Sequence, residues 1–277
     1  MKPLHIIFAF LLLLIATPFF AHTQDREQLT VPLTDPSKEG KLKIGIVTGS
    51  IKVVGYEGKE IIIDAVASDK KEQKNSYTND RGNGMKKIIT NAGFEITAKE
   101  NNNQVSIGTD QVNREINFTI KVPKRFSLKL STVNNGDIWV ENVEGNHEIS
   151  NVNGHINMKN ISGSVVANTI NQDINVNFTE VSSSTPMAFT TINGAVDITF
   201  PANIKTNVKL KTDRGEVFSD FDVDVDKSPT KIIQSADKEK GMYKIKKDDW
   251  TQGKINGGGS EIMMKTMNGN IYIRKNK

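Results

Sequence analysis

The sequence predicts an all-β chain: a single-domain parallel β-helix, or β-solenoid, wound in right-handed coils of about 18–22 residues. A short phrase recurs, as Val133-Asn134-Asn135-Gly136-Asp137-Ile138, Val152-Asn153-Gly154-His155-Ile156, Ile170-Asn171-Gln172-Asp173-Ile174, Ile192-Asn193-Gly194-Ala195-Val196 and Met267-Asn268-Gly269-Asn270-Ile271. Its spacing is regular, with Ile138, Ile156 and Ile174 falling 18 residues apart and Gly136, Gly145, Gly154 and Gly163 falling 9 apart, so each coil has two short strands and two corners. The composition, 36% hydrophobic with 6% aromatic, suits repeated thin layers better than one large core. The alternative is an antiparallel β-sandwich, in which Asn-Gly would close hairpins; near-fixed spacing favours stacking along an axis, with strands about 4.8 Å apart.

Taken in order, Lys2, the apolar run Ile6 to Phe20 and the small residues Ala21 and Thr23 predict a signal peptide over 1–23, cut near Thr23 or Gln24. The run is short for a spanning helix and contains Pro18, so the mature protein is not expected to be integral to a membrane. Residues 24–40 are expected as an N-terminal linker and 41–277 as the solenoid domain. Lys43 to Val53 and Glu60 to Ala65 look like the first coil, and strands are expected around Ile96, Val105, Ile116 to Val122 and Phe126 to Leu130. Two polar excursions interrupt the pattern, at about 68–91 and 221–252. The last strand, Ile271 to Ile273, is expected to be an open edge protected by Arg274, Lys275 and Lys277.

Corners are assigned to Gly49, Gly136, Gly145, Gly154, Gly163, Gly194, Gly215 and Gly269, on the expectation that glycine supplies positive φ there, as at Gly154. Gln172 stands where glycine is expected, so that corner is expected to be either strained or of another turn type.

Several functions are disfavoured. A net charge of +4 from 36 basic and 32 acidic residues, without aromatic-interleaved basic patches, gives no nucleic-acid signature. Without cysteine there is no disulfide, thiolate or lipidation site. No nucleophile elbow, P-loop or metalloprotease phrase occurs, so no catalytic residue and no cofactor is assigned. After export only His147 and His155 remain, too few for a closed zinc site, and no metal site is assigned.

Four stretches, Thr48-Gly49-Ser50-Ile51-Lys52-Val53-Val54-Gly55-Tyr56, Ile120-Lys121-Val122-Pro123, the Thr-Val-Asn-Gly-type phrases and Lys254-Ile255-Asn256-Gly257-Gly258-Gly259, resemble the putative adhesin family of exported bacterial β-solenoid domains. The resemblance spans about 41–277. It implies a fold and an exported location, periplasmic or at the cell surface, but carries no catalytic residues.

Three surface features are candidates for chemistry. Asp137, His155 and Asp173 form an outward ladder in which carboxylates flank an imidazole, readable as a pH-sensitive or ion-binding spot or as a solvated charge ladder. Trp139, with Asn157 and Asn175 on the same ladder, combines an aromatic ring with amides and is the ligand-binding candidate. The run Asp220 to Asp226 alternates acidic and other residues but lacks the glycine and glutamate of a calcium loop, and is expected as one acidic strand face. Trp250 is expected to cap the stack. The function expected is a non-enzymatic adhesin-like or scaffold module of the cell envelope, with a protein or glycan partner or self-association through the solenoid ends. The alternative is a carbohydrate-binding or polysaccharide-acting protein.

Overall fold

The computed structural model describes residues 25–68, 94–110, 114–228, 232–237, 242–247 and 249–277; every regular element among them is a β-strand. The expected signal peptide and nearly all of the 68–91 excursion lie outside the described residues. Twenty strands form one sheet and two more a separate hairpin, β18 (Ile232–Asp237) with β19 (Met242–Lys247).

The sheet folds into two walls around a common core. One wall stacks β1 (Asp25–Pro32), β4 (Glu60–Ser68), β7 (Glu115–Pro123), β3 (Ile51–Tyr56), β9 (Ile138–Glu141), the first half of β11 (Ile156–Asn168), β12 (Ile174–Val181), β14 (Val196–Phe200), β22 (Ile271–Lys275) and β16 (Val217–Ser219). The other stacks β5 (Ile96–Asn101), β6 (Gln104–Thr109), β2 (Gly40–Gly45), β8 (Phe126–Ser131), β10 (Glu144–Ser150), the second half of β11, β13 (Met187–Thr190), β21 (Ser260–Asn268), β15 (Thr206–Arg214), β20 (Thr251–Ile255) and β17 (Val223–Val225). Pairing is parallel through the middle, as the repeat predicted, and antiparallel at the ends, where β1, β4 and β7 meet on one side and β15, β20 and β17 on the other. The architecture is therefore all-β and solenoid-like.

Alternation explains the core. Along the first wall Ile51, Ile138, Ile156, Ile174, Val196 and Ile271 stand in register and are buried, as are Val53, Val140, Met158, Val176, Ile198 and Ile273 two residues on. Coil-to-coil steps are 18, 18 and 22 residues, the longer one taken up by the turn between β12 and β13. Phe178 stacks on Phe200 at 5.4 Å and meets Phe189 edge-on, filling the core where those coils lengthen.

Three expectations are corrected. The stretch 24–40 contributes β1, paired along its whole length with β4, because Leu29 and Val31 add apolar surface to the core. Residues 43–53 are not at the end of the stack: β2 and β3 lie between β6 and β7 on one side and β8 and β9 on the other. Nor is the C-terminal strand an edge, since β22 is held between β14 and β16, with Arg274 paired to Asp197 and Lys275 over the Phe221 ring.

The corner chemistry is also more specific than positive φ. Gly49, Gly145, Gly163 and Gly194 do adopt it, but Gly136, Gly154, Gly215 and Gly269 do not. At those four a side chain is excluded by closeness: a Cβ would come within 1.8–2.1 Å of the carbonyl oxygen of the corner below. Each such carbonyl is capped from inside. Thr132, Asn151, Thr169, Thr191, Thr266 and Thr212 donate to the corner carbonyls of Gly49, Gly136, Gly154, Gln172, Gly194 and Gly269, so these polar side chains are satisfied beneath the turn. Gln172 holds φ at 99°, a conformation costly for a residue with a Cβ. Gln172→Gly should stabilise the protein by about 1 kcal/mol; a lower urea midpoint would contradict this.

Candidate functional site on the outward columns

Because one side chain per coil projects outward at each strand position, the first wall carries parallel columns of surface residues. The corner column contains Asp137, His155 and Asp173. Their side chains are committed to the backbone of the next coil: Asp137 Oδ1 accepts from the His155 amide at 2.7 Å, His155 Nδ1 accepts from the Asp173 amide at 3.4 Å, and Asp173 Oδ1 accepts from the Ala195 amide at 2.7 Å. The imidazole thus serves as an acceptor in a ladder of capped amides, and its approach to the Asp173 carboxylate is loose, at 3.9 Å.

Beside it, the phrase asparagines form a ladder of their own. Asn153 donates to Asn134, Asn171 to Asn153, Asn193 to Asn171 and Asn268 to Asn193, at 2.7–3.1 Å. The apolar residue before each of these asparagines, and before Thr48 at the equivalent place, lies on the outer surface. Val47, Val133, Ile170, Ile192 and Met267 are all exposed, and with the half-buried Val152 they make a ridge running down six coils. This ridge was hidden in sequence because alternation counted from the buried residue after the turn does not extend back through the corner.

The central column holds Trp139, Asn157, Asn175, Asp197 and Tyr272 in register, with Lys52 next to Trp139 and Phe218 next to Tyr272. The three residues picked from sequence as a ligand site therefore share one face, and Asn175 Nδ2 donates to Asn157 Oδ1 at 3.0 Å. Together with Glu141, Lys159, Asn177, Thr199 and Arg274 they line a shallow groove of about 380 Å³. Tyr272, Phe218 and Arg274 were not picked, because they come from coils whose neighbours are distant in the chain, and Asp197 was not because it follows Asn175 across the longer coil that breaks the 18-residue spacing.

Other singled-out residues lie elsewhere. Trp250 is half-buried next to β20, near the end of the stack, with the Lys209 ammonium 4.9 Å from its ring centre. The Asp220 to Asp226 run is not one acidic face: only Val223–Val225 is a strand, Phe221 turns into the core, and Asp220 accepts from the Lys275 amide. His147 is buried on β10, in register with Leu128 and Val165 in an otherwise aliphatic column, with no hydrogen-bond partner of good geometry for either ring nitrogen. Burial holds its pKa down, from 6.5 to about 4, against a smaller opposing effect of the Ser162 and Val143 backbone. Among the described residues no helix is long and apolar enough to cross a membrane.

Two solved structures resemble the chain over 91% of its length at 12% sequence identity. One, a putative cell adhesion protein from Clostridium sporogenes, is covered completely with a TM-score of 0.44. The other, a putative adhesin from Bacteroides fragilis, is covered over 97% with a TM-score of 0.29. No curated protein sequence matches significantly. The profile of Toastrack DUF4097 matches residues 128–274, more than half of the chain, from within β8 to within β22, and the protein belongs to that family.

Proposed function

We propose that this protein is an exported, non-enzymatic module of the bacterial cell envelope, adhesin-like or scaffolding, whose right-handed coils of about 18–22 residues form a rigid support for surface contacts. The observation that carries this reading is the ridge of Val47, Val133, Val152, Ile170, Ile192 and Met267 beside the asparagine ladder. Soluble proteins rarely leave so many apolar side chains aligned in the open, and such patches mark contact surfaces. Straight rows at strand spacing suit adhesion to a repetitive protein or glycan surface. The location is periplasm or cell surface.

Two measurements test it. On fractionation with protease shaving of intact cells, the protein should be found outside the cytoplasm, and recovery in the cytosol would overturn export. The double substitution Ile170→Lys with Ile192→Lys should abolish retention of the purified protein on isolated envelopes while shifting Tm by less than about 3 °C, because both side chains are exposed. Unchanged retention would remove the ridge from the proposal.

A further inference from the structure

The central column differs from the ridge in having aromatic rings at its two ends and amides between them. Trp139 is 43% exposed at one end. At the other, Tyr272 and Phe218 stack with centroids 5.2 Å apart and planes 11° from parallel; Arg274 lies over the other face of Tyr272, so the open ring face at this end is that of Phe218, which is 44% exposed. Four strand steps separate Trp139 from Tyr272, a span of about 19 Å.

We propose that this column is the binding face for a linear, uncharged, β-linked glycan, laid along the solenoid axis from Trp139 to the Tyr272–Phe218 pair. The C–H faces of pyranose rings stack on flat aromatic surfaces, and hydroxyls both donate and accept hydrogen bonds. The middle of the column matches the second requirement. Once Asn175 has donated to Asn157 Oδ1, the Asn157 amide nitrogen and the Asn175 carbonyl oxygen have no protein partner among the described residues, so one donor and one acceptor face the groove.

Charge selects the class of glycan. Asp197 is neutralised by Arg274, whose Nε and Nη2 hold the carboxylate at 2.7–2.9 Å and whose guanidinium lies 4.9 Å from the Tyr272 ring centre. Glu141 and Lys159 stand opposite each other in register. Apart from Lys52, which lies beyond Trp139, the groove thus offers no cation surplus for an acidic polysaccharide. An extended peptide laid along the axis cannot add to the sheet, since the strands from β9 to β22 are each hydrogen-bonded on both sides and the free edge of β16, three residues long, runs across the axis. A chain of β-1,4-linked pyranoses is instead an extended ribbon that advances by about one strand spacing, ~5 Å, per sugar, so successive sugars meet successive coils.

The inference concerns the ligand of one face of the purified protein and stands independently of where the protein resides. Titration calorimetry with linear β-1,4-glucan, β-1,3-glucan and β-1,4-N-acetylglucosamine hexasaccharides tests it. At least one should bind, and its disaccharide should bind at least tenfold more weakly, because a disaccharide cannot reach both aromatic ends. Trp139→Ala and Phe218→Ala, both replacing exposed rings, should each weaken the hexasaccharide about tenfold with an unchanged circular dichroism spectrum. Failure of all three hexasaccharides to bind, equal affinity for the disaccharide, wild-type binding by either variant, or tighter binding of polygalacturonate would overturn the assignment.

Discussion

Gly154→Val is expected to destabilise the protein by about 3–5 kcal/mol, read as a shift in the urea midpoint at pH 7. The cost does not come from the dihedral angle, since Gly154 lies outside the positive-φ region. It comes from contact: a Cβ would stand 2.1 Å from the Gly136 carbonyl oxygen and 2.7 Å from the Asn151 amide nitrogen that caps that carbonyl. Relief requires parting two coils, which would stretch the ladders on both sides. Gly108 supplies the control, because a Cβ there meets nothing within 4 Å. Gly108→Ala should therefore change stability by no more than about 0.5 kcal/mol. Equal midpoints for Gly154→Val and the wild type would refute the close-packed corner.

Lowering the pH from 7 to 4 should cost about 3 kcal/mol through His147, and His147→Leu should remove that loss. The sign follows from where the proton goes. Above pH 6.5 the imidazole is neutral whether folded or unfolded, and contributes no pH dependence. As the pH falls below that value the unfolded chain gains a proton that the folded chain, with its pKa near 4, does not, so stability declines until about pH 4 and then levels off for this group. Asp35, Asp64 and Glu100, whose pKa values are lowered by hydrogen bonds, also lose stability on acidification, but only as the pH reaches the carboxylate range, and they are exposed enough for the effect to be small. Urea titrations at pH 7, 5.5 and 4 separate the two windows. His147→Leu should also raise stability at pH 7, since it removes two unpartnered ring nitrogens from an aliphatic column. A variant that loses as much stability as the wild type between pH 7 and 5.5 would exclude His147 as the cause.

The middle of the molecule was legible because its coils follow one another in the chain. Ile138, Ile156 and Ile174 pair in the register their spacing implies, and Trp139, Asn157 and Asn175 emerge on one face as alternation requires. The inner capping ladder was also written there, as the threonine or asparagine two residues before each phrase asparagine, but it could be interpreted only once the neighbouring carbonyl was seen. His147 was legible as a histidine and not as a core residue, since its strand, with Glu144, Asn146 and Glu148 around it, has a weak apolar pattern. The ends were not legible: nothing local to Gly40–Tyr56 says that its neighbours begin at Gln104 and Phe126. The same non-local pairing put Tyr272 and Arg274 beside Asp197, and so hid half of the aromatic-ended column.

The placement of β2 and β3 between later strands also dictates an order of assembly. This early segment has its lateral partners in β6, β7, β8 and β9, so it finds none before Gln104 and is held on both sides only once the chain is present as far as Glu141. At the other end, β15 and β16 are made before β21 and β22, the strands that join them to the stack. Among the parallel pairings loop closure is shortest in the consecutive coils from Phe126 to Val181, and these are expected to form before the outer ones. Both outer coils then have to dock across gaps that local sequence does not bridge.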